Sequence, residues 1–156
     1  MTADRDRPSA SGAAALVVRR TIKASAERLF EAWTQPEQLM VWWGPRPVRC
    51  AGAAIDLRVG GHYRIENELP DGRRLAIEGV FTLVERPSKL AYTWTTHPGG
   101  QESELVTVQF DAKGPSLTEI VVIHERITSP LTRDSHDEGW RGCLDGLSRY
   151  FSLREA

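Results

Sequence analysis

Apolar and polar residues alternate along most of this chain with a period of two. Leu16, Val18 and Ile22 fall at even spacing with Arg19 and Thr21 between them, which predicts a first strand buried on one face. The period then lengthens. Leu29, Phe30 and Trp33 recur at helical spacing behind Ser25, a capping residue. Thr34 with Glu37 three residues on predicts a capping box for a second short helix, which Gly44 and Pro45 end. From there to His124 alternation returns, broken by turn-forming runs at Pro70-Asp71-Gly72, Arg86-Pro87-Ser88, His97-Pro98-Gly99-Gly100 and Ala112-Lys113-Gly114-Pro115. A meander of antiparallel hairpins follows, with one wet face.

The parity of each run predicts which side chains point inward. Tyr63, Ile65, Asn67 and Leu69 oppose His62, Arg64, Glu66 and Glu68, and Leu75, Ile77, Phe81 and Leu83 oppose Arg74, Glu78 and Thr82. Leu90, Tyr92 and Trp94 continue the apolar face, as do Val106, Val108 and Phe110. Glu119 and Glu125 outward turn Ile120, Val122 and His124 inward. After Pro130, Ser135 with Glu138 forms a second capping box, so a helix is expected over 134–152 with Trp140, Leu144, Leu147 and Phe151 as its apolar stripe. Gly139, Gly142 and Gly146 lie beside that stripe, each costing about 1 kcal/mol relative to alanine. Two uses repay such glycines: close approach of helix and sheet, or room for a ligand between them.

Composition narrows the class. Lys plus Arg number 20 against 21 Asp plus Glu, and no basic run is interleaved with aromatics, so nucleic acid is not an expected partner. Residues 1–13 are rich in Ser, Ala, Asp and Arg and read as a disordered tail before a single domain over 14–156. No secretory segment and no apolar run of about 20 residues is present, which predicts a soluble cytoplasmic protein. Cys50 and Cys143 lack metal-ligand spacing and read as small buried apolar residues of a reducing compartment.

Candidate chemistry is sparse. His124 is the one histidine on an inward face, either a proton shuttle or ligand-orienting group in an apolar pocket, or a histidine hydrogen-bonded to backbone near the helix start. His62 falls on the outer face, His97 in a turn and His136 in a helix's first turn, so no metal set is expected. Gly60-Gly61 reads as a turn and Asp56 with Arg58 as a surface pair; no cofactor motif and no nucleophile with its base is found. Trp42 and Trp43 form either an aromatic lid or a core plug. Between sheet and last helix a cavity is expected, bounded by Tyr63, Phe81, Tyr92, Trp94, Phe110, Val122, His124 and Trp140, with Trp33, Trp42, Trp43, Ile65, Asn67, Val108 and Leu144 completing its lining.

Five segments carry a resemblance: LFEAWTQPEQLMVWWGP (Leu29 to Pro45), DLRVGGHYRIE (Asp56 to Glu66), LPDGRRLAIEGVF, ERPSKLAYTW (Glu85 to Trp94) and HDEGWRGCLDGLSRYF (His136 to Phe151). In this order, across 16–153, the chain resembles the bacterial proteins similar to the C-terminal domain of the activator of Hsp90 ATPase. The resemblance implies an α+β helix-grip fold of the START-like superfamily: a curved antiparallel sheet of about seven strands around a long C-terminal helix, with two short helices after strand one. Lipid carriers, polyketide cyclases and stress proteins share that fold, so it leaves function open. The aromatic inward face and the glycine stripe favour a binding protein for a small hydrophobic molecule, with no cofactor. A cyclase or aromatase using His124, Tyr92 and Asn67, and a chaperone-interacting module, are the alternatives. A homodimer is compatible with the sequence.

Overall fold

The computed structural model describes residues 14–44, 46–96 and 103–155; the tail assigned to residues 1–13 and the turn at 97–100 lie outside them. Strict alternation becomes extended backbone. On β1 (Ala14–Ile22) Leu16, Val18 and Ile22 are buried, while Val17 between them is 49% exposed. The chain continues through α1 (Ala26–Thr34) and α2 (Pro36–Trp42) to β2 (Arg49–Ile55), β3 (His62–Glu68), β4 (Arg74–Glu85), β5 (Lys89–Trp94), β6 (Glu104–Gly114) and β7 (Leu117–Ile127), and ends in α3 (Pro130–Glu155). The seven strands form one antiparallel sheet in the order β1-β7-β6-β5-β4-β3-β2, so α1 and α2 carry the chain from one edge to the other. The sheet curls around the long C-terminal helix in a helix-grip arrangement.

Turn chemistry works as expected at the β3–β4 hairpin, where Gly72 takes a φ of 90° and the Leu69 N–H donates to the Arg73 carbonyl at 2.8 Å. Gly60-Gly61 is a turn, Gly60 having a φ of 87°. Ser25 caps α1, its hydroxyl accepting from the Arg28 N–H at 3.2 Å.

Three local expectations change. Thr34 does not cap α2: it is the last residue of α1, and its hydroxyl donates back to the Phe30 carbonyl at 2.8 Å. Pro36 opens α2 instead, since its missing N–H costs nothing at a helix start. The last helix begins at Pro130, earlier than the Ser135 capping box predicts, because the Ser129 hydroxyl accepts from the Thr132 N–H at 3.1 Å and caps it there. The parity of β4 also slips. A bulge between Phe81 and Leu83 turns Leu83 outward opposite Ala91 and brings Val84 to the core side opposite Leu90.

The core is aromatic at its centre. Trp33, from α1, stacks on Trp140 of α3 with ring centroids 6.0 Å apart, meets Phe110 edge-on at 5.8 Å, and donates its indole N–H to the Tyr92 hydroxyl at 3.3 Å. Trp140, Leu144, Leu147 and Phe151 are all buried, as the stripe requires, and Arg20 ties α3 to β1 through Asp145 at 2.9 Å. Both cysteines are free and buried. Among the described residues no helix is long and apolar enough to cross a membrane.

Candidate functional site

Insertion of Trp33 decides where empty space remains. Where α1 and α2 meet the sheet, a void ringed by Trp33, Leu39, Ile55, Tyr63, Ile65, Phe81 and Tyr92 holds only about 20 Å³. Toward the N-terminal part of α3 the walls separate. A cavity of about 240 Å³ lies there, between α3 and the ends of β3, β4 and β5, lined by Trp43, Val48, Asn67, Leu69, Leu75, Ile77, Trp94, Ser135, His136, Gly139, Trp140 and Cys143. Two of the three helix glycines have different uses, and the close approach is to a helix rather than to the sheet. Around Gly139 no heavy atom lies within 4 Å of where a Cβ would stand, and this residue lines the cavity. At Gly146 a Cβ would run into the Trp42 carbonyl, so this glycine lets α2 and α3 approach. A groove of about 480 Å³ on the far side of α2 carries Arg46, Arg49 and Arg149 on its rim.

Of the residues the sequence assigns to a cavity, Trp43, Asn67, Trp94 and Trp140 line this one. Trp33, Tyr63, Ile65, Phe81 and Tyr92 surround the narrow void, and Val108, Phe110, Val122 and Leu144 are buried in the core. Trp42 and Trp43 divide the roles open to them. Trp42 is a plug, with its indole N–H on the Ala32 carbonyl at 2.9 Å; Trp43 is a cavity wall, donating to the Asn67 side-chain oxygen at 3.1 Å. An indole N–H can only donate, so Oδ1 of Asn67 faces Trp43 and its NH₂ group is left for other partners.

His124 sits behind the Trp140 wall with no exposure, at the centre of a chain of hydrogen bonds. The Trp140 indole N–H donates to His124 Nδ1 at 2.9 Å, which makes Nδ1 the lone-pair nitrogen and puts the ring proton on Nε2. That Nε2–H donates to Glu104 Oε1 at 2.7 Å, and His136 Nε2–H donates to the same oxygen at 2.8 Å. The two imidazoles stack with centroids 4.4 Å apart, and the edge of Trp94 meets both. Burial acts to raise the Glu104 carboxyl, but the two imidazole donors together outweigh it and hold the group down at about 2. Burial lowers His124 despite the carboxylate beside it, so His124 is a neutral donor. Burial pushes the Cys143 thiol up to about 12, which keeps it protonated and non-nucleophilic.

The expected placement of the histidines gave no metal set, yet Glu104, His124 and His136 bring three donor atoms within 4.8 Å of one another. Two imidazoles and a carboxylate can hold a transition metal. A metal-bound imidazole ordinarily donates its other N–H to an acceptor, however, and at His124 that nitrogen meets the Trp140 donor. The arrangement is that of a carboxylate held by two imidazole donors rather than of a metal centre. Neither Glu104 nor His136 stood out in the sequence, although Glu104 shares the inward parity of Val106, Val108 and Phe110.

Solved structures share this fold. A protein from Nitrosomonas europaea is 20% identical with a TM-score of 0.78, covering 94% of this chain and 98% of that one. The AHSA1 protein from Silicibacter pomeroyi is 22% identical with a TM-score of 0.80, covering 90% and 99%. CalU16 from Micromonospora echinospora is 23% identical with a TM-score of 0.68, covering 96% and 83%. Among curated proteins none matches the chain. The model of one family, described as activator of Hsp90 ATPase homolog 1-like protein, matches residues 23–152.

Proposed function

The chain belongs to the activator of Hsp90 ATPase homolog 1-like family, and from that premise we propose that it binds a small, largely apolar molecule in the cavity between α3 and the ends of β3, β4 and β5. One observation carries the reading: a space of about 240 Å³ walled by Trp43, Trp94 and Trp140 lies beside an aromatic core whose void at Trp33 holds only about 20 Å³. A cavity of roughly 150 Å³ holds a benzene ring, so the space suits a molecule of one or two rings or a short chain. The few polar groups on its wall, Asn67, Ser135 and His136, suit orientation of a ligand oxygen. Two free buried cysteines agree with a cytoplasmic home.

An environment-sensitive apolar dye tests this. The wild type is expected to bind one equivalent, and Gly139→Leu, which places a side chain in the open space, to bind poorly while keeping its circular dichroism. Equal binding by the two proteins would refute the assignment. Native mass spectrometry of protein purified from cells is expected to show a retained ligand.

A further inference from the structure

We propose that Glu104 and His136 make this cavity a proton-transfer site, in which His136 removes an acidic C–H proton beside a carbonyl group of a small apolar molecule. The proposal rests on the cavity being the ligand site. Among Glu104, His124, His136 and Trp140, His136 is the one that both lines the cavity and touches Glu104, and its side chain keeps 19% exposure. Its Nε2 is committed to the carboxylate. Its Nδ1 has no hydrogen bond to any described residue, so this nitrogen is the base left to act on a ligand. His124 cannot take that part, being without exposure and with both nitrogens engaged. It is a positioning residue: a second donor on Glu104 Oε1 that anchors the carboxylate, its own tautomer set by Trp140.

The proton and electrons balance within the cavity. The C–H proton passes to His136 Nδ1, the C–H electron pair moves into the carbonyl, and the oxygen becomes an enolate. Glu104 stabilises the imidazolium that forms, as a carboxylate does behind a catalytic histidine. The NH₂ group of Asn67, whose oxygen is turned to Trp43 and which has no hydrogen bond to any described residue, is the donor available to the developing oxyanion. Return of the proton to carbon regenerates the imidazole. The carbonyl class follows from this pairing of a base with an amide donor on walls that are otherwise apolar. Around His136 the titratable groups are Glu104 on β6, His124 on β7 and, two turns further along α3, the protonated Cys143; Asp137 on the same helix is paired with Arg141 at 3.2 Å.

Nitrobenzisoxazole, a flat two-ring molecule with one acidic C–H, is a suitable probe. When a base takes its proton, the C–H pair forms a nitrile and the N–O bond breaks to leave a coloured phenolate. The wild type is expected to bind it, seen as quenched tryptophan fluorescence, and to turn it over with saturation and a rate that rises with pH through one ionisation. His136→Gln keeps a donor for Glu104 but has no base, so it should still bind and lose roughly 100-fold or more in kcat. Glu104→Gln should lower kcat and displace the pH profile with KM little changed; an undisplaced profile would remove Glu104 from the mechanism. Gly139→Leu should lose binding and turnover together. Wild-type turnover in folded His136→Gln, or probe binding without turnover by the wild type, overturns the proton-transfer proposal while the binding reading stands. If neither probe nor dye binds, both fall. Activity lost to a chelator and restored by zinc would replace the His136 base with a metal centre.

Discussion

Gly139 and Gly146 stand two turns apart on one helix, and the same substitution at each should move stability in opposite directions. At Gly139 no heavy atom lies within 4 Å of the position an alanine Cβ would take, so only backbone propensity changes. Alanine is better than glycine inside a helix by about 0.8–1.0 kcal/mol. For a chain of this size that raises the melting temperature by roughly 2–4 °C. At Gly146 the same propensity gain is opposed by a clash with the Trp42 carbonyl, a backbone group that no side-chain rotation can remove. The segment bearing Trp42 cannot drift away freely. Its indole is bonded to the Ala32 carbonyl at 2.9 Å, and the Tyr150 hydroxyl of α3 donates to Gln38 on α2 at 3.3 Å. Overpacking of this kind costs about 1–3 kcal/mol, and an unyielding obstacle places it in the upper part of that range. After the propensity gain, Gly146→Ala should be destabilised by about 1–2 kcal/mol, a fall of roughly 2–8 °C. Thermal melts by circular dichroism with urea titrations alongside measure both variants. Shifts of the same sign, or a Gly146→Ala protein at least as stable as the wild type, would show that α2 and α3 do not approach as described.

Two further outcomes follow from buried groups. Leu147 is without exposure in the stripe of α3, so Leu147→Ala should cost about 2–5 kcal/mol in urea unfolding, and an unchanged midpoint would displace that residue from the core. Stability should also decline on acidification in two stages, both with the same sign. His124 is held below its ordinary 6.5, so as the pH falls through that value the unfolded chain binds more protons than the folded one and stability drops. Glu104 is held at about 2 against an ordinary 4.5; its contribution is complete above 4.5 and is lost as the pH falls toward 2. Glu104→Gln should remove the lower stage, and a urea midpoint flat from neutral to acid pH would contradict both assignments.

What the sequence made legible, and what it did not, divides along physical lines. A period of two reports which face of a strand is dry, and it placed Tyr63, Ile65, Tyr92, Trp94, Val106, Val108, Phe110, Ile120, Val122 and His124 inside, where all of them are buried. It failed at Leu83 and Val84 because one extra residue in a strand reverses parity beyond it, and a bulge has no signature in Leu-Val-Glu. Caps were harder. Thr34 and Ser135 each offer a capping oxygen, but a hydroxyl can bond backwards into its own helix, and a serine before proline can start a helix a turn and a half sooner. That earlier start has a functional consequence, since it puts Ser135 and His136 on the cavity wall rather than at a solvated helix end.

The position of the cavity depended on a quantity that alternation does not carry, the volume each element contributes from outside the sheet. Weighing seven apolar strand faces against one glycine-bearing helix leaves room in the middle, but Trp33 arrives there from α1 and closes it to about 20 Å³. Open space remains beyond the reach of that indole, where α3 carries Gly139 and where Trp43 is held against Asn67. The cluster around Glu104 is a second case of the same limit. His124 was visible as an inward histidine, but its partners come from residues 104 and 136, joined to it only through the pairing of β6 with β7 and the path of α3 over them. A charged residue on an inward parity was the available signal. Glu104 keeps step with Val106, Val108 and Phe110, and burying a carboxylate there is favourable only if donors meet it. The search for those donors leads to the two imidazoles.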